Sequence, residues 1–166
     1  MPESVLLHPK TSAALDRPRV VRPGLPSNRT HDALGSQEFV LMERACRPHG
    51  GLMRGDELAR LLRSREHQPI SLLARWIVGR EVISFDWQAN TLLPLFQFDL
   101  ASTSVRPVVA DVLRELTDVF DDSDLALWFA VPNVWLDDHA PVDVLDRDPR
   151  CLLDAARADR FIARGN

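Results

Sequence analysis

Apolar positions recur at helical spacing along most of the chain and alternate only over a short central stretch. After Ser36, an N-cap residue type, the segment Gln37 to Arg47 places Phe39, Val40, Met42 and Ala45 at helical intervals, and Pro48-His-Gly-Gly51 ends it. Gly55 to Arg63 predicts a second helix with Leu58, Leu61 and Leu62 on one face. Asp56 and Glu57 in its first turn and Arg60 and Arg63 in its last suit the helix dipole. After a gap from Ser64 to Gln68, Pro69 can open a third helix. Its inner face is expected at Ile70, Leu73, Ala74 and Ile77, and Gly79 is its stop. Glu81 to Phe85 then alternates like a strand, Asp86 to Asn90 reads as a turn holding Trp87, and Thr91 to Phe98 reads as a second strand. Pro94 within that strand suits a sheet edge.

The last third reads as helical throughout. Arg106 to Phe120 carries a broad stripe of Val108, Val109, Val112, Leu113, Leu116, Val119 and Phe120. Asp121 or Ser123 caps the next helix, which runs through Leu125, Leu127, Trp128 and Phe129 and stops at Pro132. Pro141 to Leu145 is a short helix. Asp148 caps the final one, with Pro149 in its first turn and Leu152, Leu153, Ala156, Phe161 and Ile162 as its apolar positions. Trp128 and Trp135 read as core residues bracketing a proline corner, and Trp76 as core in the third helix.

Composition adds an arm and an asymmetry. Residues 1–35 hold five prolines, which block helices and central strands, so this segment reads as a flexible Pro-rich arm. Residues 1–100 carry 13 Lys/Arg against 11 Asp/Glu, whereas residues 101–166 carry 7 against 13. The first part can meet a phosphate backbone, and the acidic last third suits a basic protein surface. No apolar run is long enough to cross a membrane, no secretory signal is visible, and two distant cysteines make no disulfide framework, so a cytoplasmic protein is expected.

Sites for chemistry are sparse. Cys46 and His49 lie three apart, but no second Cys/His pair follows at zinc-site spacing, so a buried thiol and a loop histidine are expected. Asp137-Asp138-His139 lacks a nucleophile in a recognisable setting and reads as a surface loop. There is no P-loop and no Gly-x-Gly-x-x-Gly. No catalytic residue, metal ligand or cofactor is assigned, and a binding protein rather than an enzyme is expected. The helix-turn-helix order offers a nucleic-acid reader instead. If Pro69 to Gly79 enters a groove, Gln68, Ser71, Leu72 and Arg75 face the bases, and Arg63, Arg65, Arg75 and Arg80 reach phosphates. The size of Leu72 and Trp76 argues against that role.

Three stretches resemble the bacterial antitoxins of the Xre/MbcA/ParS group, which share a C-terminal toxin-binding domain. Leu93-Pro-Leu-Phe-Gln-Phe-Asp99 is similar to the segment that precedes that domain. Leu127-Trp-Phe-Ala-Val-Pro-Asn-Val-Trp-Leu136 is similar to its Trp-x-x-x-Pro-Asn-x-x-Leu corner, and Ala140-Pro-Val-Asp-Val-Leu145 to its following helix start. The family usually has glycines after the corner leucine, where this chain has Asp137-Asp138-His139. The resemblance covers about residues 70–166. It implies a partner toxin of the RES type, which degrades NAD, a homo-oligomer, and operator DNA for autoregulation. The toxin-binding residues expected are Trp128, Pro132, Asn133, Trp135, Leu136, Phe161, Ile162, Arg164, Gly165 and Asn166. Together these readings predict a mainly α protein. Its arm covers 1–35, a small winged helix-turn-helix-like part with a β-hairpin covers 36–100, and a C-terminal helical bundle that binds the toxin covers 101–166.

Overall fold

The computed structural model describes residues 35–165, so nearly all of the Pro-rich arm, and Asn166, lie outside the described residues. Its secondary structure is mainly helical, with a small antiparallel sheet. In chain order the elements are α1 (Ser36–Cys46), β1 (Leu52–Arg54), α2 (Gly55–Leu62), α3 (Pro69–Val78), β2 (Phe85–Trp87), β3 (Asn90–Pro94), β4 (Phe98–Asp99), β5 (Ser104–Val105), α4 (Pro107–Leu116), α5 (Asp122–Ala130), α6 (Pro141–Val144) and α7 (Pro149–Ala163).

The three-stranded sheet has the order β1-β3-β2, with both pairs antiparallel. Pro94 is therefore in the central strand, not at an edge. It is accepted because it is the last residue of β3, opposite Leu52, and Leu95 takes over the pairing by donating its N–H to Gly51 O at 2.9 Å. The predicted strand at Glu81 to Phe85 begins only at Phe85, and Trp87 belongs to β2 rather than to the turn. The cause is Gln97. Its buried carboxamide accepts from Ile83 N–H at 2.6 Å and donates to Ile83 O and Pro94 O, both at 2.9 Å. A side chain here supplies the pairing that a neighbouring strand would give.

Helix starts follow their caps, with one shift: Gly35, not Ser36, is the N-cap of α1, and Glu38 reaches back to accept from its N–H at 3.0 Å. Asp121 caps α5 and Asp148 caps α7, as their residue types require. α3 presents a different face from the one expected. Pro69, Leu73 and Trp76 are buried, whereas Ile70 is 64% exposed and Ala74 is exposed. These three keep the same helical spacing one residue round, and burying an indole outweighs burying an isoleucine. Trp76 stacks on Phe98 at 5.8 Å between ring centroids. Leu61 and Val40 likewise face outward on α2 and α1.

Two apolar clusters result. The smaller joins α2, α3, β3 and β4 through Leu58, Leu62, Leu73, Trp76, Leu93 and Phe98. The larger gathers α4, α5, α6 and α7 and also takes Met42 and Cys46 of α1 with Ile83, Phe85 and Phe96. Phe39 of α1 stacks flat on Trp87 of β2, 4.3 Å between centroids and 2° between planes, tying the first helix to the hairpin. Arg80 pins the other side: its guanidinium donates to Asp122 Oδ1 at 2.8 Å, Thr117 O at 2.6 Å and Phe120 O at 2.7 Å. Among the described residues no helix is long and apolar enough to cross a membrane.

Candidate functional site

The corner between α5 and α6 is built by its own sequence. Pro132 cannot continue α5, which ends at Val131 in an extended conformation. Asn133 Oδ1 then accepts from Trp135 N–H at 2.9 Å and caps a single 3-10 turn, Val134–Leu136. The chain doubles back through a bridge in which Asn133 N–H donates to His139 O at 3.0 Å. That reversal puts Asp137 and Asp138 in left-handed conformation, φ +52° and +59°. These two residues directly follow Leu136, and left-handed backbone is the conformation that glycine adopts most readily.

One carboxylate holds the corner. Asp159, on the α7 face that also carries Leu152, Ala155 and Ala156, accepts from Trp128 Nε1 and Asn133 Nδ2 on Oδ2, each at 2.7 Å. Its Oδ1 accepts from Trp135 Nε1 at 3.0 Å. Two indoles and an amide thus converge on one side chain. Asp159 carries no sequence signal of its own, because its partners lie 24 to 31 residues upstream.

The corner residues divide into two groups. Trp128, Asn133 and Leu136 are buried, so they shape the corner from within. Pro132, Trp135, Phe161, Ile162, Arg164 and Gly165 face outward. Trp135 is 49% exposed, a correction to its reading as core: only its N–H edge and backbone are tied down. Phe161 is 59% and Ile162 48% exposed, since the buried face of α7 is the one that carries Leu152, Ala155 and Ala156. Arg164 pairs with Asp118 at 3.3 Å. Just inside that end, Arg160 and Arg157 both grip Glu115 of α4. Burial pushes the Glu115 carboxyl up, but the two guanidinium groups outweigh it and hold it below the ordinary glutamate value.

The residues proposed for DNA also separate. Arg63, Gln68, Ser71 and Arg75 are exposed, and Arg63 and Arg75 have no ion-pair partner among the described residues. Arg80 is committed to the α4–α5 junction, and Arg65 donates to Ala101 O. Leu72 is half-buried against the smaller cluster. Ile70 and Val78 share the solvent side of α3 with Ser71 and Arg75, and Val78 is 85% exposed.

Cys46 and His49 do not converge. The Cys46 thiol is buried beside Met42 Sδ at 3.6 Å, and burial, with Glu43 adding, pushes it up to about 12. His49 Nε2 lies 2.9 Å from Asp143 Oδ1 of α6. Among the described residues no three His, Cys, Asp or Glu side chains are gathered as a metal site. No family model, curated protein or solved structure matches the chain.

Proposed function

We propose that this chain is an antitoxin-like protein whose acidic C-terminal helices dock on a cognate toxin of the RES type and block its NAD-degrading site. The observation that carries this reading is the outward set of Trp135, Phe161 and Ile162, presented beside a corner locked by Asp159. A rigid aromatic anchor with large apolar side chains on the surface is the anatomy of an interface hot spot. The resemblance of the corner sequence to Xre/MbcA/ParS antitoxins supports the same partner class, while Asp137-Asp138-His139 departs from the glycines usual there. A cytoplasmic setting and a homo-oligomer belong to this reading. The test is co-purification with the product of an adjacent RES-type reading frame, followed by NAD consumption with and without this chain. Failure to co-purify, or undiminished NAD loss, rejects it.

A second reading, a DNA-binding regulator, is favoured by the order α1-β1-α2-α3-β2-β3 with the sheet ordered β1-β3-β2. That order is the one a winged helix-turn-helix requires, with α3 as reader and the β2–β3 turn as wing. Arg63, Gln68, Ser71 and Arg75 are open on that side, while Ile70 and Val78 oppose a phosphate-facing role. It predicts salt-dependent binding to the DNA upstream of its own gene, weakened by Arg75→Ala. Absence of binding at low salt removes it.

A further inference from the structure

α3 carries more apolar surface than its own core uses. Pro69, Leu73 and Trp76 face the smaller cluster. At the helical step of about 100° per residue, Ile77, Ile70, Ala74 and Val78 continue the apolar face round the helix before Ser71 and Arg75 break it. The arc from Trp76 to Val78 is about 200° wide, roughly twice what a helix on one core needs. Its outer half is open. Ile70, Ala74 and Val78 are exposed, and a groove of about 370 Å³ runs between Ala59, Arg60 and Arg63 of α2 and Ile70, Ala74 and Ile77 of α3. We propose that this face is the contact with a second copy of the chain. It gives the homo-oligomer of the reading above its surface and stands without a toxin, since the corner and α7 take no part.

Two features make the face complementary to itself. Ile70, Ala74 and Val78 lie four apart in one row, with the small residue in the middle. Under a two-fold axis at Ala74 the two α3 helices run antiparallel. Alanine allows close approach at the crossing, and Ile70 of each copy meets Val78 of the other. The α2 wall also changes sign along its length, from Asp56 and Glu57 in the first turn to Arg60 and Arg63 at the end. Asp56 holds Arg54 and Arg60 within its own chain, whereas Arg63 has no ion-pair partner among the described residues. The same axis lays α2 antiparallel to its copy and brings each Arg63 toward the acidic first turn of the other. The wall consists of helices of eight and ten residues, so the contact belongs to the small class, below about 1,200 Å², that associates weakly. With α3 paired in this way it cannot enter a DNA groove, so the dimer and the DNA reading exclude each other.

The test needs no toxin. Sedimentation velocity of the whole protein from roughly 5 to 500 μM should show the mass rising from 18.7 kDa toward twice that value. Ile70→Glu and Val78→Lys each suit the dipole at their own end of α3, and both positions are exposed in the single chain, so thermal unfolding of dilute protein should not change. Each should weaken the dimer about tenfold or more, because the change enters the interface twice. Ala74→Cys in a Cys151→Ser background should form an intermolecular disulfide under mild oxidation. Leu61→Cys, on the far side of α2, should not. A constant mass at every concentration, a dimer that both substitutions leave intact, or equal cross-linking at the two positions overturns the proposal. So does a monomer whose Ile70 and Val78 methyl signals are shielded from a paramagnetic co-solute, which would make the chain's own residues 1–34 the cover of the groove. None of these outcomes bears on toxin docking, which the co-purification above tests separately.

Discussion

Trp128 donates its indole N–H at 2.7 Å to Asp159, 31 residues further along the chain. Trp128 is almost fully buried, so no water replaces this acceptor, and Asn133 Nδ2 shares the same carboxylate oxygen. Asp159→Ala should destabilise the protein by roughly 2–4 kcal/mol, because it strands buried donors. It should also loosen Trp135, which Asp159 holds by the other oxygen. Urea unfolding gives the first effect and an altered tryptophan emission in the folded baseline the second. A loss under about 0.5 kcal/mol would show that the corner stands without this carboxylate.

Gln97 is fully buried and its carboxamide makes three backbone hydrogen bonds. Gln97→Met keeps the volume but leaves Ile83 N–H, Ile83 O and Pro94 O unpaired. The expected cost is roughly 2–4 kcal/mol, with the Ile83 amide losing its hydrogen-exchange protection before the amides of the sheet.

Much of this was legible in the sequence where the evidence was local. Asp121 and Asp148 announced their helices, Pro132 stopped α5, and Trp76 is in the core where its size placed it. What stayed hidden depends on distant partners. Asp159 gives no hint of the indoles it receives from α5 and the 3-10 turn. Nothing near Arg80 in sequence foretells that it spans to Thr117, Phe120 and Asp122 rather than to a phosphate. Helical spacing alone allowed two faces for α3, and the choice fell to the stacking of Trp76 on Phe98. For the proposed docking surface, the sequence pointed to the corner and to Phe161 and Ile162, which are exposed on α7. It did not separate the outward Trp135 from the buried Trp128.

Asp137 and Asp138 hold left-handed backbone that glycine adopts without penalty. Asp137→Gly should therefore raise stability, by up to about 1 kcal/mol. Thermal unfolding measures it. A fall in Tm would mean that the aspartate side chain does more for the corner than its backbone strain costs.

Glu115 links stability to pH. Its folded-state pKa is lowered, so its contribution is complete above the unfolded glutamate value, about 4.3, and is lost as pH falls through the folded value. Glu115→Gln should lower stability near neutral pH by about 1 kcal/mol, and the gap to the native protein should close as pH falls below the unfolded glutamate value and through the folded one. Denaturant titrations across this range test it. A gap that persists at low pH would assign the effect to packing rather than charge.

Phe161 and Ile162 are the sharpest test of the docking surface, because the fold does not use them. Both are about half exposed, and neither belongs to the buried residues of α7. The nearby pairs Arg160–Glu115 and Arg164–Asp118 keep the helix end in place without them. The double variant Phe161→Ala, Ile162→Ala should shift stability by no more than about 0.5 kcal/mol. If the surface docks on a toxin, the same change should weaken the complex by about tenfold or more, since large side chains of this kind supply most of an interface's energy. Unfolding curves and a binding isotherm on the same samples separate the two effects. Lost stability with intact binding would move both side chains into the fold and off the interface. Intact stability with intact binding would leave Trp135 and its surroundings as the surface that the partner reads.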